Sequence, residues 1–134
     1  MLFRSTLLRD TIRILRRIGR EEEIDLVYFG GIRSGTDAAK VIGLGAMAAA
    51  IGLPLALAAG GEITEGREMR FSADRTEEER AQGVVNILKA SAGEASMMAR
   101  CTGKTNLHNL EPEDLRALTV ATAEATAIGL AGTH

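Results

Sequence analysis

The feature that most constrains the fold is an apolar run that ends in two glycines and is followed at once by a helical pattern. The run over residues 24–29 is rich in β-branched and aromatic side chains, which predicts a short buried strand, and Gly30-Gly31 closes it. Parallel strands need helical crossovers, and a strand, a glycine turn and a helix are the parts of such a unit. The sequence therefore predicts an α/β fold.

A second unit follows directly. Thr36 or Asp37 can cap a helix that runs to about Leu44, and Gly45 ends it. The next apolar run, residues 47–51, is mostly alanine, which has little intrinsic preference for strands. Its place after a crossover helix nevertheless predicts a second strand, parallel to the first.

The segments on either side of these two units are more polar. Apolar residues recur at helical spacing over residues 5–18, which predicts an amphipathic helix before the first strand. Residues 62–75 are polar and irregular, and this predicts a loop long enough to be functional.

The C-terminal half is predicted to be helical. Thr76 and Glu79 form a capping-box pattern in front of a helix that should reach Arg100 or Cys101. A last helix should begin at Pro112 and continue toward residue 129. The predicted inner face of the long helix consists of Ala81, Val84, Val85, Leu88, Ala92, Ala95 and Met98.

Composition excludes several classes of protein. The 134 residues are 46% hydrophobic and 25% charged, which fits one globular domain at most. A formal net charge of -2 gives no field that would attract nucleic acid or a membrane surface. A single cysteine, Cys101, allows no intramolecular disulfide, so a cytoplasmic location is expected.

Two of the less common residue groups have simple interpretations. Cys101 and His108 are too few for zinc, which takes three or four protein ligands, so we expect no metal site, a buried thiol and a capping or surface histidine. Arg13, Arg16 and Arg17 have no aromatic residues between them, and they are predicted to form the solvated outer face of a helix.

The strongest candidate for chemistry is the loop Gly30-Gly31-Ile32-Arg33. Glycines allow a backbone to approach a phosphate closely, and the N–H groups and dipole at a helix start favour negative charge. Arg33 can add a charge-assisted hydrogen bond. The alternative is a plain strand-to-helix turn, which also uses glycine.

A second glycine loop shifts the balance toward a phosphate site. Gly52 and Leu53 follow the second predicted strand, one unit further along the chain. In a parallel barrel the C-terminal ends of consecutive strands lie side by side, and the last two strands usually carry the phosphate. The two loops can therefore hold one phosphate between them.

Two stretches of this sequence resemble a known family. The run GGIRSGTDAAKVIGLGAMAAAIGLPLALAAGG is similar to the phosphate-binding strands seven and eight of barrels that bind FMN or a nucleotide monophosphate. The later run ARCTGKTNLHNLEPEDLRALTVATAEATAIGLAGT resembles the C-terminal tail of the glutamate synthase FMN-domain family, most closely its N-methylglutamate synthase large subunits. The resemblance covers nearly the whole chain from Leu8 onward.

The resemblance implies a fold and a division of the chain. The fold is the C-terminal portion of a (β/α)8 TIM-type barrel, with two parallel strands and about four helices, incomplete alone. Residues 1–134 would form a single partial domain. Within it, residues 1–61 would form the last two βα units with the phosphate loops, 62–75 a loop, and 76–134 a C-terminal helical extension.

The resemblance also implies a cofactor site. The backbone of Gly30, Gly31, Ile32 and Arg33, with that of Gly52 and Leu53, would hold the phosphate of FMN. Full glutamate synthases place three cysteines of an iron–sulfur cluster near the position of Cys101, where this chain has a single one. We therefore expect no cluster within this chain, which favours the N-methylglutamate synthase side of the family.

Two positions depart from the pattern of relatives. Phe29 stands where relatives usually have a small or polar residue, and its ring is expected to crowd the flavin. The glycine-loop run also resembles that of α-hydroxy acid oxidases, but Leu53 stands where those enzymes tend to have arginine, which argues against that family.

The function implied is a fragment or subunit of an FMN-dependent, glutamate synthase-like oxidoreductase acting on CH–NH2 donors, inactive alone. Its role would be in glutamate or N-methylglutamate biosynthesis. Catalytic residues would lie in the missing part of the barrel, and a polypeptide supplying strands one to six, or self-association, is the expected partner. The alternative is a non-catalytic module that binds phosphate, a nucleotide or another protein.

Overall fold

A computed structural model describes residues 2–133 of the chain. It contains five α-helices, four short strands and two 3-10 turns within that range. The helices are α1 (Leu2–Arg17), α2 (Gly35–Gly43), α3 (Leu53–Ala58), α4 (Glu77–Cys101) and α5 (Val120–Thr126), and the strands are β1 (Val27–Phe29), β2 (Ala48–Ala50), β3 (Gly61–Ile63) and β4 (Met69–Phe71).

The central sheet has two strands. β1 and β2 pair in parallel, with Val27 opposite Ala48 and Phe29 opposite Ala50, and α2 is the crossover between them. This confirms the α/β fold and the two predicted parallel strands. Within residues 2–133 no closed barrel is formed, so the partial TIM barrel and its division into segments stay predictions.

The main core lies on one face of this sheet. Leu8 and Ile12 of α1 pack with Tyr28 of β1 and with Val41 of α2, and all four side chains are buried. Both helices therefore cover the same face of the sheet. Burial of this apolar surface is the principal stabilising contribution to such a small sheet.

The first strand is shorter and more exposed than predicted. It covers three residues rather than 24–29, and Val27 and Phe29 are 64% and 74% exposed. Alternate side chains of a strand point to opposite faces, so Tyr28 enters the core while its two neighbours point to the other face. The apolar run predicted burial on both faces, but residues 2–133 cover only one of them.

The long helix α4 confirms its predicted start. The Thr76 hydroxyl accepts from the Glu79 N–H and the Glu79 carboxylate accepts from the Thr76 N–H, which forms the capping box. The predicted inner face is wrong in part, because the buried side of α4 consists of Ser91, Ala95 and Ala99. Helix α2 packs closely against this side of α4, which has room for small side chains only. The larger Val85 and Leu88 lie outside this contact and are exposed.

Two elements were missed in the middle of the chain. Residues 53–58, which were assigned to no particular element, form the helix α3 with Pro54 in its first turn. Residues 62–75, predicted as a loop, include most of an antiparallel hairpin in which Glu62 pairs with Arg70. Its turn is closed by the Arg67 N–H donating to the Thr64 carbonyl, a local contact that composition does not indicate.

The last predicted helix is also wrong at its start. Pro112 begins a 3-10 turn that ends at Asp114, and the chain is extended at Leu115. The following backbone pairs with the C-terminal segment, since Ala117 donates to the Gly129 carbonyl and accepts from the Ala131 N–H. Helix α5 begins at Val120, six residues after Asp114 ends the 3-10 turn, and Thr119 is its N-cap.

Arg9 ties these outer elements together. Its buried guanidinium donates to the Thr126 carbonyl at 3.1 Å and to the Leu44 carbonyl at 3.3 Å, at the ends of α5 and α2. Burial, together with the charges of Arg13 and Arg16, lowers the pKa of Arg9 from its ordinary value. The two hydrogen bonds to carbonyl oxygens replace part of the hydration that the buried guanidinium has lost.

Candidate functional site

The two glycine loops lie next to each other at one end of the sheet. The first loop joins β1 to α2, and Gly52 joins β2 to α3. The ring of Phe29 lies 3.6 Å from the position that a Cβ on Gly52 would take. The parallel pairing therefore brings together the two loops that the sequence predicted as one site.

The backbone of the first loop needs glycine. Gly30 and Gly31 have φ values of +99° and +76°, in the region that side chains disfavour. Across residues 2–133 the N–H groups of Gly31 and Ser34 donate to no other residue. Gly31 is exposed and Ser34 is half-buried, so both of these residues lie near the surface just before α2.

The other two residues of the first loop have different roles. The side chain of Ile32 is buried in the main core and anchors the loop, so its backbone alone is available to a ligand. The side chain of Arg33 is exposed, and its Nε lies 3.4 Å from Oδ2 of Asp37. The Arg33 N–H also donates to that oxygen at 3.2 Å, so Asp37 already uses one of the predicted phosphate donors.

A carboxylate that the sequence did not indicate also faces the start of α2. Oε2 of Glu94, on α4, accepts from the Thr36 N–H at 3.3 Å. Together with the buried Asp37, it places two acidic groups at the helix end that favours anions. Sequence reasoning missed Glu94 because 58 positions separate it from Thr36.

The second loop is more open than the first. Gly52 and Leu53 are exposed, and a Cβ on Gly52 would make ordinary contacts with the Phe29 ring. The helix that follows has six residues, so its dipole is smaller than that of α2. The ring of Phe29 lies beside Gly52, and the expectation that it crowds a flavin stays a prediction.

The long helix α4 sets the positions of both short helices. A Cβ on Gly35 of α2 would lie 1.8 Å from the Ser91 carbonyl oxygen, and a Cβ on Gly83 of α4 would lie 2.1 Å from the Ala58 carbonyl oxygen. These backbone approaches are possible because neither glycine has a side chain. Helices α2 and α3 therefore both pack directly against α4.

The residues near Cys101 do not form a metal centre. Cys101 is exposed, so the predicted buried thiol is wrong: it lies at the C-terminal end of α4, beyond the buried Ala99. His108 is at the surface, as predicted, with its Nε2 3.0 Å from the Met47 carbonyl oxygen. Among the described residues, no group of three His, Cys, Asp or Glu side chains could hold a metal ion.

Nothing between residues 2 and 133 has the helix length and apolarity that crossing a membrane requires.

Comparison with known proteins gives one informative match. The chain is 34% identical over 154 aligned positions to a glutamate synthase large subunit-like protein of Rhizobium meliloti (strain 1021). The alignment covers 94% of this chain but 35% of that protein, so the chain spans about a third of its relative's length. No protein-family model and no solved structure matches the chain. The match indicates that this chain is related to glutamate synthases.

Proposed function

We propose that this chain supplies the phosphate end of an FMN site in a glutamate synthase-like oxidoreductase that acts on CH–NH2 donors. The observation that carries the proposal is the juxtaposition of the two glycine loops in a chain similar to a glutamate synthase large subunit-like protein. The enzyme would serve glutamate or N-methylglutamate biosynthesis in the cytoplasm. The chain would be inactive until the rest of the barrel joins it.

The loops fit a phosphate in two respects. The free N–H groups around Gly31 and the start of α2 are suited to its oxygens, and the exposed Arg33 can add charge. Gly52 and Leu53 would close the site from the neighbouring strand. Bound there, FMN would supply the electron transfer, and this chain's residues would hold its phosphate.

The acidic groups oppose a phosphate. Glu94 uses the Thr36 N–H, and Asp37 uses the Arg33 N–H. A phosphate would have to displace the Glu94 carboxylate or bind beside it. Weak binding to this chain alone is therefore part of the proposal, and the ring would be held mainly by the missing part of the barrel.

The same contacts favour a second candidate function. If Asp37 and Glu94 keep the Arg33 and Thr36 amides, the glycine pair is a plain turn, and the chain is a non-catalytic interaction module. A single cysteine also leaves no cysteine set for an iron–sulfur cluster within this chain.

Flavin retention separates the two functions. The experiment is co-expression with a polypeptide made from the region of the Rhizobium meliloti relative that this chain does not cover. The proposed function predicts that FMN co-purifies with the complex near one equivalent and is lost from this chain alone. A stable complex without flavin would favour the non-catalytic module.

A further inference from the structure

The outer edge of β1 is open. β1 pairs with β2 on one side, and no other strand among residues 2–133 pairs with it on the other. The Leu26 carbonyl accepts from the Met47 N–H at 2.8 Å, so it points toward the β2 side. Backbone groups alternate along a parallel strand, and those of Val27 and Phe29 therefore point to the open edge.

An apolar groove runs along this edge. It has a volume of about 340 Å³ and lies between α1 and β1, lined by Leu7, Leu8 and Thr11 together with residues 26–29. We call it the edge groove. None of its lining side chains carries a charge, and Leu7, Val27 and Phe29 are 62%, 64% and 74% exposed. An open strand edge beside exposed apolar side chains is the surface that a further strand binds.

The helix layer indicates the direction of that strand. α1 and α2 cover the same face of the sheet, and α2 is the crossover of the β1–β2 pair. The edge groove is lined by α1 and β1 and by no residue of β2, so α1 lies where the crossover helix from a further parallel strand would lie. The occupant should therefore run parallel to β1.

We propose that the edge groove binds an apolar β-strand of a second polypeptide, in parallel with Val27–Phe29. The occupant belongs to the part of the longer relative that this chain does not cover, which is about two thirds of that protein. The inference rests on the proposed function for the identity of this occupant. Strand docking itself requires no flavin.

Amide exchange locates the docked strand. The uncovered region of the Rhizobium meliloti protein, expressed as a separate polypeptide, is added to the full chain without flavin. We expect the Val27 and Phe29 amides to exchange at least tenfold more slowly in the complex, because they gain acceptors. The Tyr28 amide, which already faces β2, should change little.

Matched charge substitutions test the groove. Val27→Lys should lower affinity for that polypeptide at least tenfold, because lysine blocks strand addition at an open edge. Ile63→Lys is the control, since Ile63 on β3 is 54% exposed and lies on the other sheet. Leu7→Glu alters the helical wall of the groove without changing the strand, and it should weaken binding as well.

Several results would overturn the inference. These are the absence of a complex, a complex that leaves the Val27 and Phe29 amides unprotected, and equal effects of Val27→Lys and Ile63→Lys. Concentration-dependent protection of the same amides without the added polypeptide would assign the edge to a second copy instead. Because flavin is absent, a failure to bind FMN in other experiments leaves these outcomes unaffected.

Discussion

Gly35→Ala is expected to destabilise the fold by about 3 kcal/mol or more. The new Cβ would lie 1.8 Å from the Ser91 carbonyl oxygen and 2.8 Å from the Ala95 nitrogen. Both are backbone atoms of α4, so no side-chain rotation can relieve the overlap. Helices α2 and α4 would have to separate, which would expose the small residues packed between them.

The measurement is urea unfolding of the variant and of a matched control. The control is Gly93→Ala, because Gly93 lies in the interior of α4 and a Cβ there would meet nothing within 4 Å. Alanine favours helix over glycine, so this control should gain about 0.5–1 kcal/mol. Similar midpoints for the two variants would show that α2 and α4 do not pack as described.

Gly31→Val is expected to lower FMN affinity more than tenfold in the complex with the second polypeptide, a loss above about 1.4 kcal/mol. A β-branched side chain would block the approach of a phosphate to the loop and would strain a backbone with φ of +76°. Arg33→Ala should have a smaller effect, because an exposed arginine adds charge while the amides supply the geometry.

Gly103→Val is a control that separates the effect of backbone strain from the effect of blocking the phosphate site. Gly103 has φ of +77°, a Cβ there would meet nothing within 4 Å, and it lies in the turn after α4. Both valines should therefore cost similar stability, while Gly103→Val leaves flavin affinity unchanged. Unchanged affinity in Gly31→Val would move the phosphate site away from this loop. Loss of assembly in that variant would leave the plain turn as its explanation.

Local signals in the sequence predicted the elements whose causes are local. The capping box at Thr76 fixed the start of α4, and glycines marked the ends of β1 and α2. The faces were harder to predict, because burial depends on what packs against an element. Val27 was expected to be buried, but residues 2–133 cover only the other face of its strand. The inner face of α4 was predicted from the helical spacing of its apolar residues, which does not show which side another helix will cover.

The candidate site shows the same limit. Sequence spacing predicted that the two glycine loops would meet, and the parallel pairing of Phe29 with Ala50 places them together. The Glu94 contact with Thr36 depends on how α4 packs over α2, and no pattern within either segment encodes it. The charged groups that face the loop could therefore be identified only from the tertiary structure, whereas the loop itself could be predicted from the sequence.

Titration of FMN and of riboflavin into the wild-type chain and into Glu94→Gln determines whether the two loops form a phosphate site. We expect weak FMN binding, weaker or no riboflavin binding, and roughly two- to fivefold tighter FMN binding in Glu94→Gln, because a competing carboxylate is removed. Equal binding of FMN and riboflavin, with no response to Glu94→Gln, would contradict a phosphate site at these loops.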